Sequence, residues 1–98
     1  MKVSEVDVSN LAEYARLDDP GETELRELDR MRESAIAMIT AYTGLSAEEL
    51  DDHADITQAL FVLVMDMFDN RNLLIDYKST NLNPAVRTIL NLHSVNLL

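Results

Sequence analysis

Seven consecutive apolar residues, from Ala59 to Met65, constrain the fold of this chain most strongly. In a helix such a run is apolar on every face, and a helix of that kind is buried on most sides. A strand would also fit, but only two of the seven residues are β-branched and the flanking sequence has helical spacing. We therefore predict a core helix over 55–74. Its polar positions form a narrow stripe: Asp55, Gln58, Asp66 and Asp69.

The composition favours an all-α fold. Glycine and proline occur only twice each, whereas a many-stranded fold needs tight turns every 8–12 residues or so. Leu, Ala, Met and Glu, which are good helix formers, are common. We expect a small bundle of four main helices in a single domain over 1–98. A chain of this length buries only about 60–65% of its unfolded surface, which leaves room for an assembly.

The first two helices are predicted at about 9–17 and 21–43. Ser9 is the expected N-cap of the first helix. Asp19 is the expected cap of the second, with Pro20 at its first position, and Gly44 provides the left-handed residue that ends it. The second helix has one apolar seam: Leu28, Met31, Ala35, Met38 and Tyr42.

The first half of the second helix, Glu22 to Glu33, is charged on its other faces. Glu22 and Arg26 are spaced for an ion pair at i,i+4, and Asp29 and Arg32 for one at i,i+3. We expect this half to project from the core. It is either a solvated helix with weak ion pairs or a charged contact surface for a neighbouring molecule.

Two further helices follow from capping residues. Ser46 with Glu49 matches a capping box and predicts a short helix near 47–51. Asn83 followed by Pro84 predicts the start of a last main helix over 84–92. Its apolar side comprises Val86, Ile89, Leu90 and His93. Residues 93–98 form a C-terminal tail whose apolar residues have little reason to be apolar unless they bury against something.

Few residues suggest chemistry. The chain has no cysteine, which excludes disulfides and thiolate metal sites. His53 lies among the acids of residues 51–55 and could bind a divalent cation, but the glycine and spacing of an EF-hand loop are missing. The favoured interpretation is a solvated loop in which Asp52 or Asp55 caps the next helix. His93 is expected to interact with a helix C-terminus rather than with a ligand.

No enzyme, metal or cofactor is expected. The chain has no arrangement of nucleophile, base and orienting group and no Gly-rich phosphate loop. Asp66 and Asp69 on the core helix are unusual acids, but exposure at the helix edge explains them more simply. The longest apolar run is far shorter than the roughly 20 residues that span a bilayer, and Met1 to Glu5 does not resemble a signal peptide.

The net charge of −10 is unevenly distributed. After Asp76 the only charged side chains are Lys78 and Arg87, so an acidic body precedes a faintly basic, apolar C-terminal segment. Such a chain should not bind nucleic acid through phosphates, because that binding requires Lys and Arg to displace counterions.

Four short segments occur at the ends of the predicted helices, and their order along the chain can be compared with that of a known family. The first helix ends in Tyr14-Ala15-Arg16-Leu17-Asp18, the second in Tyr42-Thr43-Gly44, and the third near Asn70-Arg71, while the last opens on proline and continues Val86-Arg87-Thr88-Ile89-Leu90. Over residues 8–92 this order resembles the head–tail connector (adaptor) proteins of long-tailed bacteriophages, also called DNA-packaging proteins. The chain departs from the family in two places. It has Met67-Phe68-Asp69 where an aromatic pair is common, and no glycine in its last loop.

The resemblance implies a structural virion protein at the head–tail junction, present in the host cytoplasm during assembly. Its protomers would form a dodecameric ring under the portal protein. The ring would extend the channel for double-stranded DNA without binding it specifically, and a stopper or tail-completion protein would bind below. No membrane is involved. The alternative is an acidic helical binding module, such as a DNA mimic or small regulator that occupies a basic protein surface.

Two regions are the hypothesised contacts with other subunits or the portal. The charged half of the second helix would face a neighbouring subunit, and 84–98 would contact the portal or a neighbour. The interface residues of this hypothesis are Glu22, Arg26, Asp29, Arg30, Glu33, Arg71, Arg87, Val95, Leu97 and Leu98.

Overall fold

Five α-helices and a short 3-10 turn form the part of the chain that the computed structural model describes, residues 1–70 and 83–95. The turn spans Val3–Glu5. The helices are α1 (Val8–Tyr14), α2 (Glu22–Thr43), α3 (Ala47–Leu50), α4 (Ala54–Asp69) and α5 (Pro84–His93). Within these residues there is no strand, and the predicted all-α bundle is confirmed.

The centre of the bundle is α4, as its apolar run predicts. It packs against α2, α5, α1 and the N-terminal 3-10 turn. Half of its residues are buried: Ile56, Thr57, Ala59, Leu60, Leu63, Val64, Met67 and Phe68. Asp55, Gln58 and Asp69 are exposed and Asp66 is half-buried, so the predicted polar stripe is confirmed. Because α4 is enclosed by the other elements, it fixes the positions of both the N-terminal and the C-terminal segments.

The apolar seam of α2 is rotated slightly from the predicted one. Its buried residues are Leu28, Ala35, Ile39 and Thr43, whereas the predicted members Met31, Met38 and Tyr42 are only half-buried. Thr43 can be buried because its hydroxyl donates a hydrogen bond to the Ile39 carbonyl at 2.7 Å. A polar side chain that is satisfied within its own helix therefore takes a core position that hydrophobicity alone does not assign to it.

The charged half of α2 does not project from the core, contrary to the prediction. Leu28 is fully buried in this half, and Leu25 and Met31 pack against the core. This half also borders the N-terminal segment, whose Val6 and Val8 line the same shallow groove as Leu25. One apolar stripe is enough to pack this half of the helix against the core, while the charged residues occupy its remaining faces.

The start of α1 differs from the prediction. Asp7, not Ser9, is the N-cap: its carboxylate accepts the Asn10 N–H at 3.0 Å, and the Asn10 side chain accepts the Asp7 N–H at 2.9 Å. Ser9 lies inside the helix. The reciprocal pair satisfies two N–H groups that would otherwise lack partners, which a cap at Ser9 would not do.

The end of α1 comes at Tyr14, three residues before the predicted end. Arg16 adopts a left-handed backbone with φ of 57°. Its N–H donates to the Glu13 carbonyl, and the Leu17 N–H donates to the Ala12 carbonyl, both at 3.0 Å. These two bonds form a Schellman motif, here with arginine where glycine is usual.

The predicted caps of α2 and α4 are wrong. Asp19 has φ of 50° and lies outside α2, whose N-cap is Gly21, with the Gly21 N–H donating to Glu24 at 3.3 Å. The N-cap of α4 is His53 rather than an aspartate, and it makes no side-chain cap bond. The last residue of α4 is Asp69, whereas the predicted helix extends to residue 74. Residues 71–74 of the predicted helix lie outside the described residues.

Other helix ends agree with the sequence. Ser46 and Glu49 form the predicted capping box of α3, and Gly44 ends α2 with φ of 78°. The Asn83 side chain accepts the Ala85 N–H at 2.8 Å at the start of α5. The last helix extends one residue beyond the prediction, so His93 belongs to α5 and not to the tail.

Candidate interaction surface

The charged half of α2 carries five of the predicted interface residues. Glu22, Arg26, Arg30 and Glu33 are exposed, and Asp29 is half-buried. The predicted pair Glu22–Arg26 is formed at 3.7 Å with both side chains mostly in solvent, whereas Asp29–Arg32 is closer, at 3.0 Å. Exposed pairs of this kind contribute at most about 1 kcal/mol to stability. These charges are therefore available for a partner without loss of the fold.

The C-terminal end of α5 is the second predicted region. Val86 and Leu90 are buried, so this helix is held to the core along one side. On its outer side Leu92 is 73% exposed, and Val95 is 58% exposed just beyond the helix. These two residues are spaced at i,i+3 and are among the few large apolar side chains that the described residues expose. Arg87 is also exposed on α5.

Two hydrogen bonds join the C-terminal end of α5 to the end of α2. The Tyr42 hydroxyl donates to the Asn91 side chain at 2.7 Å. The Thr43 carbonyl accepts the Val95 N–H, also at 2.7 Å. The C-terminal segment therefore leaves the bundle from a fixed position, at least as far as Val95. Arg71, Leu97 and Leu98 of the predicted interface lie outside the described residues.

The two predicted regions lie at opposite ends of α2. The charged half begins at Glu22, and the contacts with Asn91 and Val95 are made by Tyr42 and Thr43. At 1.5 Å of rise per residue, about 30 Å of helix lies between Glu22 and Tyr42, and about 13 Å lies between Glu33 and Tyr42. The two regions are thus two surfaces rather than one, which suits contacts with two different neighbours.

The middle of the chain carries acidic side chains without Lys or Arg. From residue 33 to residue 70 the sequence has eight acids and no lysine or arginine. Five of these acids cluster around α3 and the start of α4: Glu48, Glu49, Asp51, Asp52 and Asp55. Asp51 is held by the N-terminal segment, because its carboxylate accepts the Ser4 N–H at 2.9 Å. That hydrogen bond lowers the pKa of the Asp51 carboxyl group.

A cluster of two histidines and an aspartate joins α4 to α5. The Nε2 atom of His93 lies 2.8 Å from both carboxylate oxygens of Asp55, and it donates the hydrogen bond because a carboxylate only accepts. The rings of His53 and His93 stack with centroids 4.1 Å apart. The hydrogen bond from His93 lowers the pKa of Asp55. The contact of His93 with His53 and Asp55 was not predicted from the sequence, since 38 residues separate Asp55 from His93.

Asp66 has the opposite electrostatic environment. It is half-buried on α4, and burial, followed by the negative charge of Asp69, raises the pKa of its carboxyl group. The hydrogen bond at this turn uses the Asp66 backbone carbonyl, which accepts from the Asn70 side chain at 2.8 Å. Asp66 is therefore a partly desolvated acid beside another acid, an arrangement that costs stability when both are ionised.

Within residues 1–70 and 83–95, no three His, Cys, Asp or Glu side chains come together in a way that could hold a metal ion. Among the same residues, no helix is both long and apolar enough to cross a membrane. A shallow groove of about 610 Å³ runs between the charged half of α2 and the N-terminal segment, and both Arg26 and Arg32 line it together with acids.

Comparison with known proteins found no match: no protein-family model, no curated protein sequence and no solved structure resembles this chain significantly.

Proposed function

We propose that this chain is a head–tail connector of a long-tailed bacteriophage. In this proposal twelve copies form a ring beneath the portal, extend the DNA channel and bind a stopper or tail-completion protein. The proposal rests on the order of segments in the sequence, on the acidic charge and on the two separated surfaces of the fold.

The observation that carries the proposal is the position, in the fold, of the four segments that resemble the connector family. Each is at a helix end: Tyr14 closes α1, the Tyr42-Thr43-Gly44 segment closes α2, Asn70 follows α4, and Pro84 opens α5. Segments at helix ends set how successive helices connect. Their order therefore supports a common arrangement of helices more strongly than any one of the short motifs does alone.

The acidic surface suits a passage for DNA. A DNA duplex carries closely spaced phosphates, and a protein wall that lacks Lys and Arg offers them no counterion-releasing contacts. The base-free stretch from 33 to 70 supplies eight acids to such a wall. A duplex in a channel of this charge would slide without being held, as a connector requires.

The two separated surfaces suit a ring. A ring needs a heterologous interface, in which one patch of a protomer binds a different patch of its neighbour. The charged half of α2 provides one patch. The exposed Leu92 and Val95 provide an apolar one, which would bind a neighbour or the portal.

Deleting the gene from the phage or prophage that encodes the chain tests the proposal. We expect DNA-filled heads and separate tails in the electron microscope, with joined particles restored when the gene is supplied in trans. Unchanged yields of joined, infectious particles would contradict a connector role. Loss of infectivity with joined particles, together with binding of the pure protein to a basic DNA-binding protein, would instead favour the acidic binding module.

A further inference from the structure

The His53–Asp55–His93 cluster lies where the start of α4 meets the end of α5. His53 is the N-cap of α4, Asp55 is in the first turn of α4, and His93 is the last residue of α5. The cluster is partly shielded from solvent: the His93 side chain is 21% exposed. The chain has two histidines, and the cluster contains both of them.

The two rings lie at helix ends of opposite polarity, His53 at the N-terminus of α4 and His93 at the C-terminus of α5. A positive charge is stabilised at the C-terminus of a helix, where His93 lies, and a negative charge at the N-terminus, where Asp55 lies. One charge on His93 therefore suits the cluster, since it faces the Asp55 carboxylate. A second charge on His53 would repel the first across 4.1 Å.

Acids on neighbouring elements lie near the cluster as well. From α3, Glu49 is close enough for its negative charge to interact with His53, but its carboxylate is bonded to the Ser46 N–H at 2.9 Å. Asp52 precedes His53 in the chain. From α2, the last turn offers Tyr42 and Thr43 and no charged side chain. Among the described residues, Asp55 is the acid whose carboxylate is shown hydrogen-bonded to a ring of the cluster.

We propose that these three side chains form an acid-sensitive clasp that holds the C-terminal end of α5 on α2 and α4. The clasp is closed while at most one imidazole is charged and opens when both are charged. Opening also loosens the Tyr42–Asn91 and Thr43–Val95 hydrogen bonds, because the residues that make them flank His93 on α5 and directly after it. This inference concerns the chain by itself and does not depend on the connector proposal.

Amide hydrogen exchange of the full-length protein tests the clasp, with the two imidazoles followed by NMR. Histidine changes its charge between about pH 8 and about pH 5, so protection factors, corrected for intrinsic exchange, are compared across that range. For the native chain we expect protection at Leu90 to His93 and at Val95 to fall about tenfold or more, because an opening that takes up one proton becomes tenfold more favourable per unit of pH. The fall should coincide with charging of the second imidazole, while the centre of α4 stays protected.

The matched variant is His53→Phe, which keeps an aromatic ring against His93 but cannot become charged. Its α5 protection should persist to the acidic end of the range. If this variant loses helix content by circular dichroism, His53→Gln provides the same comparison without a ring. Loss of protection at the same pH in the native chain and in the folded His53 variant would overturn the proposal. Protection that stays constant in the native chain across the whole range would overturn it as well.

Discussion

The carbonyl oxygen of Thr43 accepts a hydrogen bond from the backbone N–H of Val95 at 2.7 Å, and this bond ties the end of α2 to the chain that follows α5. Thr43 is fully buried, while the Val95 side chain is mostly exposed. A backbone anchor thus holds an apolar side chain at the surface. In the proposed connector, Val95 would therefore be presented to a partner from a fixed point on the bundle.

Two C-terminal deletions separate the anchor from the surface that it presents. Removing residues 94–98 takes away both Val95 and its hydrogen bond, whereas removing 96–98 keeps the bond. We expect both deletions to weaken self-association, measured by light scattering over a range of concentrations. Only the longer one should also lower the free energy of unfolding, by about 1–3 kcal/mol, because it removes the Val95 hydrogen bond together with the bond from the Ser94 N–H to the Asn91 carbonyl.

Helix content by circular dichroism is the control for these deletions, and it should match that of the full chain. If the native chain associates and neither deletion changes that association, the C-terminal segment is not a subunit contact. Equal destabilisation by both deletions would show that the Val95 bond is not the anchor.

The Tyr42–Asn91 hydrogen bond should stabilise the end of α5. Tyr42→Phe removes only the hydroxyl that donates to Asn91, so we expect a loss of about 0.5–1 kcal/mol in the free energy of urea unfolding. Tyr14→Phe is the matched control, since the ring of Tyr14 keeps its contact with Phe61, with centroids 4.9 Å apart. A larger loss for Tyr14→Phe than for Tyr42→Phe would contradict this assignment.

The cap of α1 can be assigned by a pair of alanine substitutions. Asp7→Ala removes the carboxylate that accepts the Asn10 N–H and should cost about 0.5–2 kcal/mol of stability. Ser9→Ala changes an exposed position inside the helix and should stay within about 0.5 kcal/mol of the native chain. Thermal or urea unfolding measures both, and the reverse order would restore Ser9 as the cap.

Asp55 and Asp66 should affect the pH dependence of stability in opposite directions. The pKa of Asp55 is lowered in the folded chain, so its contribution is present above the ordinary carboxyl pKa and is lost as pH falls through the lowered value. The pKa of Asp66 is raised, so its ionisation costs stability at neutral pH, and this cost disappears as pH falls below the ordinary value.

Asparagine substitutions at these two positions provide the measurement. At neutral pH, Asp55→Asn should lower the urea midpoint and Asp66→Asn should raise it. Both differences should shrink as the pH approaches the acid range in which the native carboxyl groups are protonated. If both substitutions shift the midpoint in the same direction at neutral pH, one of the two environments is assigned wrongly.

Local signals in the sequence predicted much of the fold. The Ser46–Glu49 box, Gly44 and the Asn83-Pro84 step each act within four residues, and all three mark helix ends in the structure. The apolar run of α4 predicted the core because a helix without a polar face must be enclosed. Caps with competing neighbours were wrong: Asp19 and Gly21 both precede α2, and only the backbone shows that Gly21 is the cap.

Contacts between distant residues could not be predicted in this way. The His53 and His93 rings meet only because α4 and α5 pack with one helix start beside the other helix end. The buried Thr43 likewise depends on the angle at which α2 crosses the core. The charged half of α2 was identified from its ion pairs, but its packing through Leu28 depends on how α2 packs against the other helices, α1 and α4 among them.

Binding to the portal tests the central claim most directly. The purified chain is mixed with portal rings made from the portal gene of the same genome, and the mixture is imaged by electron microscopy. We predict a second ring, coaxial with the portal, for the full-length chain and a much smaller fraction of such complexes for the chain that lacks residues 94–98. Portal rings that remain bare at saturating concentrations of the full-length chain would contradict the account.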